Sequence, residues 1–229
     1  MSARTLIPRS SEPLQRMASM VLLASSLALV PAAQAAEHKQ LPVQPATDFP
    51  AVEVHANEHL AIAAEPFNTA AQLKIFRVNY FAHGILPVRL IVTNNGDHTL
   101  SLKEARILFI TAAGDRIQAA QPEDVERRLS HPGSRVSHIP SPIPGLHLKH
   151  KDIDKEIQRD FDTFEFSSLT VAPHTTQAGF LFYDVDGLSD PLRGAALNLH
   201  TLRDDDGNEL FYFEIPFDKY LTSRSSQMN

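Results

Sequence analysis

The chain has 229 residues, and its 21 Lys and Arg against 27 Asp and Glu give a formal net charge of −6 at pH 7. This acidic balance argues against a nucleic-acid-binding protein, because such proteins use Lys and Arg to displace counterions from phosphates. The chain contains no Cys, which excludes disulfides, thiolate nucleophiles, iron–sulfur clusters, Cys-ligated zinc and a bacterial lipoprotein, whose lipid needs a Cys at the cleavage site.

The N-terminal residues have the order of a secretory signal peptide. Three Arg within the first 16 residues precede an apolar run over 17–30, and the small residues Ala33 and Ala35 follow it. The run has 14 residues, whereas a membrane-spanning helix needs about 20. We therefore expect a cleaved signal peptide over 1–35, a bacterial periplasmic or secreted location, and no stable membrane anchor.

Three further segments follow the predicted cleavage site. Residues 36–50 are mostly polar or small and contain three prolines, which predicts a flexible leader. A β-rich domain is expected over 51–222, and the last residues, 223–229, are expected to be a disordered tail.

Several short runs within 51–222 alternate between apolar and polar residues, the pattern of β-strands. These runs cover 52–54, 76–80, 87–93, 105–111, 179–185, 196–202 and 210–217. Tight turns are expected at 94–97, 114–115 and 206–207, where Gly, Asn and Asp tolerate positive φ. In the last run, Phe211, Phe213, Ile215 and Phe217 are predicted to share one face. Many short strands with regular turns indicate an antiparallel β-sandwich.

The strand rhythm stops over 119–165, where we predict a helical, Pro- and His-rich insertion. A short helix is expected over 122–129, with acidic residues in its first turn and basic residues in its last. A second helix is expected from about Asp152. Its apolar stripe comprises Ile153, Ile157, Phe161 and Phe164, and core packing is favoured over docking to a partner or a membrane. Asp160 is assigned to the polar face of this helix.

Two parts of the chain carry a family resemblance. Gly84-Ile85-Leu86-Pro87-Val88, which leads into Val92-Thr93-Asn94-Asn95, resembles exported bacterial proteins with an immunoglobulin-like domain, and so does the segment 179–185. The arrangement is also similar to the β-sandwich domains of water-stress and late-embryogenesis-abundant proteins. The resemblance implies an immunoglobulin-like β-sandwich and no particular activity, because such sandwiches host many functions.

Two groups of His are candidate metal ligands. Cleavage after Ala35 would expose Ala36-Glu37-His38, whose amine, amides and imidazole suit the square-planar geometry of Cu(II) or Ni(II). The second group is His131, His138, His147 and His150, which fall within 20 residues. Imidazole nitrogens are common ligands of zinc. The alternatives are that His38 lies in a disordered tail and that the second group lies in a solvated loop that happens to be rich in His.

No catalytic signature is recognisable, and the acidic turn over 204–209 lacks the spacing of a calcium loop. We therefore expect a non-enzymatic exported binding or interaction module whose partner is an envelope protein or peptide; a polysaccharide remains open as the ligand. The alternatives are a protein that binds copper, nickel or zinc through His38 or the His131–His150 loop, and a hydrolase with an unrecognised site. No other cofactor is expected.

Overall fold

A computed structural model describes residues 38–130 and 150–227, apart from the side chains of residues 150–152 and 227. In this part the chain is mainly β, with antiparallel sheets and few helices, which confirms the β-rich prediction. The strands are β1 (Val52–His55), β2 (Leu60–Pro66), β3 (Ile85–Asn94), β4 (Leu100–Ser101), β5 (Arg106–Ile110), β6 (Arg116–Gln118), β7 (Thr170–Val171), β8 (Thr175–Asp184), β9 (Ala196–His200) and β10 (Phe213–Pro216). The helices are α1 (Ala70–Leu73), α2 (Pro122–Ser130), α3 (His150–Phe164) and α4 (Asp218–Gln227).

The first sheet has the strand order β1-β2-β3-β8, and each of its pairs is antiparallel. Its central strand, β3, is buried at every position because it has neighbours on both sides and covered faces. Val88, Leu90 and Val92 point to one face of β3, as their alternation predicts, and belong to the largest apolar cluster.

The second sheet has the order β10-β9-β5-β6, and β4 pairs with β7 in a separate small sheet. Gly114 and Gly207 adopt φ of 87° and 84° in the predicted turns before β6 and β10, a conformation that glycine adopts without strain. Leu199, Phe213 and Ile215 are fully buried in the same apolar cluster as the central strand of the first sheet. The two larger sheets therefore share one core.

The opposite face of the first sheet is covered by the segment that was expected to be a flexible leader. The backbone N–H of Ala46 donates to the Thr93 hydroxyl at 2.8 Å, and the Arg89 guanidinium donates to the Pro42 carbonyl at 2.6 Å. Ala46 itself is fully buried. Residues 38–50 are thus packed on the sheet, and Arg89 and Thr93 are buried under them.

Helix α3 packs its apolar stripe against β8. Ile157, Phe161 and Phe164 are buried, and the Phe161 ring stacks on Phe182 with 4.4 Å between ring centroids. This agrees with the predicted core role of the stripe, although Ile153 at its N-terminal end is 40% exposed.

Gly179 allows the chain that follows α3 to approach β8 closely. The Phe166 N–H donates to the Phe180 carbonyl at 2.9 Å, and a Cβ atom at position 179 would lie 2.5 Å from the Phe166 Cα. Any larger residue would therefore force this backbone contact apart.

The assignment of Asp160 to the polar face of α3 is wrong. Asp160 is completely buried and accepts hydrogen bonds from the backbone N–H groups of Arg77 and Val78, the Arg77 guanidinium and the Tyr80 hydroxyl. Position 160 lies one turn from Ile157 and Phe164, so it shares their buried side. Burial raises the pKa of Asp160, and the hydrogen bonds from Arg77 and Tyr80 oppose that rise.

Three other local predictions differ from the structure. Residues 76–80 form no strand: they lead into a 3₁₀ turn at Tyr80–His83, and Phe76 and Tyr80 both join the apolar cluster under α3. Phe211 precedes β10 and is 76% exposed. Helix α4 continues to Gln227, where a disordered tail was expected from 223.

Within 38–130 and 150–227, none of the helices combines the length and the hydropathy that a membrane span requires.

Candidate binding cleft

The His residues predicted as metal ligands are only partly within the described part of the chain. His131, His138 and His147 lie outside it, and of His150 only the backbone, at the start of α3, is described. The Nδ1 atom of His38 lies 2.9 Å from the carbonyl oxygen of Ile75, so a metal ion on that nitrogen would displace a hydrogen bond. Copper, nickel or zinc binding by these residues stays a prediction.

A different His lies beside the acidic turn between β9 and β10. His98 Nδ1 is 2.8 Å from an Asp205 carboxylate oxygen and 3.9 Å from an Asp206 oxygen. The three ligand atoms could reach one cation, but the side chains are about half exposed or more, and His98 is already paired with Asp205. An exposed group of this kind stabilises the fold no more than a surface ion pair does, and that contribution is small.

The most distinctive polar arrangement lies where the edge strands β1 and β10 meet. An open cleft of about 620 Å³ is present there; its lining residues are Glu53, His55, Ala56, Asn57, Glu58, Phe211, Tyr212 and Glu214. Strand β1 and the following 3₁₀ turn, Ala56–Glu58, form one wall of the cleft, and the residues around the start of β10 form the other. The cleft thus lies between the two larger sheets.

His55, the last residue of β1, lines this cleft and contacts three other residues around it. Its Nε2 lies 3.0 Å from a Glu53 carboxylate oxygen, and its Nδ1 lies 3.0 Å from a Glu58 carboxylate oxygen. Its ring also stacks on Phe213, with 3.8 Å between ring centroids. Burial lowers the pKa of His55, but the hydrogen bonds and charges of Glu53 and Glu58 outweigh burial, so the pKa lies above its ordinary value.

The two glutamates use their remaining oxygens to bind the opposite wall. Glu53 accepts a hydrogen bond from the Glu214 N–H at 2.6 Å, and Glu58 accepts one from the Phe211 N–H at 2.8 Å. Lys219 of α4 adds a bond to the Val52 carbonyl at 3.2 Å. We call Glu53, His55 and Glu58 the histidine clasp, since together they connect β1 to the 211–214 segment.

Two large aromatic side chains rise from that segment into solvent. Phe211 is 76% exposed and Tyr212 is 56% exposed, and the Tyr212 ring stacks on His200 with 5.6 Å between ring centroids. The clasp therefore holds the backbone of an exposed aromatic pair next to several carboxylates.

Sequence reasoning did not single out this cleft. Glu53 and His55 are two residues apart in β1, so their side chains lie on the same side of the strand. Glu58 follows three residues after His55. The opposite wall of the cleft, around the start of β10, is about 160 residues further along the chain, and no local pattern indicates it. The exposure of Phe211 was missed because the apolar alternation was extended back to residue 211, two residues before β10 begins at Phe213.

Comparison with family models, with curated proteins and with solved structures gives no match for this chain. The likeness to exported bacterial immunoglobulin-like proteins therefore stays a prediction. The functional argument rests on the geometry of the cleft.

Proposed function

We propose that this chain is an exported, non-enzymatic binding module of the bacterial periplasm or cell exterior, whose cleft binds a basic segment of an envelope protein or peptide. The observation that carries the proposal is the exposed pair Phe211 and Tyr212 beside the carboxylates of the cleft. The N-terminal pattern of basic, apolar and small residues supports export.

An immunoglobulin-like sandwich is the fold we propose for this module. It is supported by two four-stranded antiparallel sheets that contribute to one core. Helices α2 and α3 come between β6 and β7 in the chain, which supports a helical insertion over 119–165. In such a scaffold the binding residues sit at strand ends and loops held by rigid sheets, and the cleft has that position.

The exposure of the aromatic pair supports a binding role. An exposed Phe and Tyr add little to the stability of the free protein, whereas burying aromatic surface against a partner is strongly favourable. Aromatic residues also dominate the energetics of protein interfaces. The backbone behind Phe211 is fixed by Glu58, so less conformational entropy is lost when a partner packs on it.

The charges of the cleft support a basic partner. Among the described residues, Glu53, Glu58 and Glu214 line the cleft together with the imidazole of His55, so negative charge remains even when His55 is protonated. An arginine could pair with a carboxylate and stack on Phe211 or Tyr212, since a guanidinium does both. A non-enzymatic role fits the same geometry, because both nitrogens of His55 are engaged and neither is free to act as a general base.

Binding of short peptides tests this proposal. Fluorescence polarisation would measure the affinity of the wild-type protein for arginine-containing peptides and for the same peptides with the neutral isostere citrulline. We expect arginine peptides to bind, citrulline peptides to bind at least about tenfold more weakly, and F211A/Y212A to lose about tenfold or more.

The control is L169A, which removes another exposed apolar side chain, 62% exposed, on β7's N-terminal flank. It should bind as the wild type does. Peptide binding that survives F211A/Y212A, or that ignores the replacement of arginine by citrulline, would contradict the proposal.

A further inference from the structure

The histidine clasp contains a charge arrangement that only one protonation state of His55 can satisfy. Both of its ring nitrogens lie 3.0 Å from carboxylate oxygens, which can only accept hydrogen bonds when ionised. A neutral imidazole carries one N–H, whereas an imidazolium carries two. The observed geometry is therefore that of the protonated ring, with a cation between two anions.

Loss of the proton would break one side of the clasp. The deprotonated nitrogen would present a lone pair to a carboxylate oxygen at hydrogen-bond distance, and two anionic carboxylates would face each other across a neutral ring. One glutamate would then be expected to turn towards water. Because each glutamate also accepts a backbone N–H of the 211–214 segment, the turn would release part of that segment.

The other charged groups around His55 do not replace its proton. Glu214 lines the cleft from β10 and adds negative charge, and Lys219 of α4 directs its ammonium at the Val52 carbonyl. His200 of β9 stacks on Tyr212, and within the described part of the chain it forms neither a hydrogen bond nor an ion pair with Glu53 or Glu58. His is the side chain whose charge changes between about pH 5 and 8, so His55 is the group in the clasp that titrates there.

We propose that the histidine clasp is a pH-dependent latch on the recognition surface: protonated His55 holds the 211–214 segment and its exposed aromatic pair in place, and one of the two attachments of that segment is released when His55 loses its proton. The latch itself is a property of the free protein. Its consequence for the partner, weaker binding of a basic segment at higher pH, rests on the proposed function.

NMR of the free protein tests the latch directly. The His ring signals would be followed through a pH titration, together with hydrogen-exchange protection factors, corrected for intrinsic exchange, of the Phe211 and Glu214 amides. Loss of one hydrogen bond corresponds to about tenfold, so we expect the amide whose glutamate turns away, Phe211 or Glu214, to lose about tenfold in protection as His55 titrates.

The Gly194 amide is the internal control, because it donates to an Asp218 carboxylate at 3.2 Å and no His takes part. Its protection should not change over the same range. Unchanged protection of Phe211 and Glu214 through the His55 titration would overturn the latch.

Two variants test whether His55, and not His200, causes the pH dependence of the amides. H55Q should remove the pH dependence of the two amides, whereas H200Q, which alters the ring under Tyr212, should keep it. Loss of the pH dependence in H200Q and its persistence in H55Q would refute the assignment to His55.

Peptide affinity at pH 6 and pH 8 distinguishes the latch from the proposed function. If the amides respond to pH but no arginine peptide binds at either pH, the latch holds and the proposed function fails. If peptides bind equally at both pH values and the amides do not respond, the binding function holds and the latch fails.

Discussion

Two clusters of charged residues in this protein have similar composition and opposite settings. Around Asp160, the buried Tyr80 hydroxyl and the guanidinium of Arg77, whose side chain is 21% exposed, meet a carboxylate that has no exposed surface. Around His55, an imidazole and two carboxylates meet at the edge of two sheets, beside an open cleft. Both clusters join segments that are far apart in the chain.

The difference between the clusters is access to water. Asp160 accepts bonds from donors fixed by the 77–80 backbone, and without water nothing could replace a lost partner. The carboxylates of the histidine clasp can turn to solvent when His55 changes charge. We therefore assign the Asp160 cluster to stability and the histidine clasp to a surface that responds to its surroundings.

The largest expected effect is that of removing the Asp160 carboxylate. D160A leaves the buried Tyr80 hydroxyl and the backbone N–H groups of Arg77 and Val78 without their acceptor, so we expect a loss of about 2–3 kcal/mol in the free energy of unfolding. Urea unfolding followed by circular dichroism measures it. D162A, which removes an exposed carboxylate of the same helix, should cost less than about 0.5 kcal/mol. Equal effects of the two variants would remove the contrast between the clusters.

Replacing tyrosine by phenylalanine is expected to have a smaller effect on the free energy of unfolding, with opposite signs at Tyr183 and Tyr80. The Tyr183 hydroxyl is buried with no hydrogen-bond partner among the described residues, whereas the Tyr80 hydroxyl donates to Asp160 at 3.0 Å. We expect Y183F to raise the free energy of unfolding by about 1 kcal/mol and Y80F to lower it by about 1 kcal/mol. Thermal melting of both variants checks the signs, and a destabilised Y183F would show that this hydroxyl is satisfied after all.

The smallest effect on stability is expected at the exposed aromatic pair. F211A and Y212A remove side chains that are 76% and 56% exposed, so each should change the free energy of unfolding by less than about 0.5 kcal/mol. Their large effect is expected on peptide binding instead. A loss of stability as large as the loss of affinity would assign the pair to the fold and not to recognition.

Much of the fold follows from local sequence patterns. The alternation around Val88, Leu90 and Val92 identifies β3, and glycines at positions 114 and 207 mark the turns that the structure contains. These features depend on residues close together in the chain, where periodicity and turn chemistry are decisive.

The missed features depend on contacts between distant segments. Asp160 is buried because its partners are at 77–80, and Arg89 is covered because residues 38–50 return over its strand. In the same way, nothing near His55 in the sequence indicates that Glu53 and Glu58 reach the amides of the 211–214 segment. Long-range pairing decides burial and site assembly, and a single sequence does not display it.

The pH dependence of stability in the wild type and H55Q tests the central contrast most directly. A raised pKa of His55 means that the folded state binds the proton more tightly than the unfolded state, so its stabilisation is fully present below about pH 6.5 and is lost as the pH rises through the folded-state value. Urea unfolding at several values from pH 5.5 to pH 8.5 should show the wild type losing its advantage over H55Q as the pH rises. A difference between the two proteins that stays constant over this range would contradict the account.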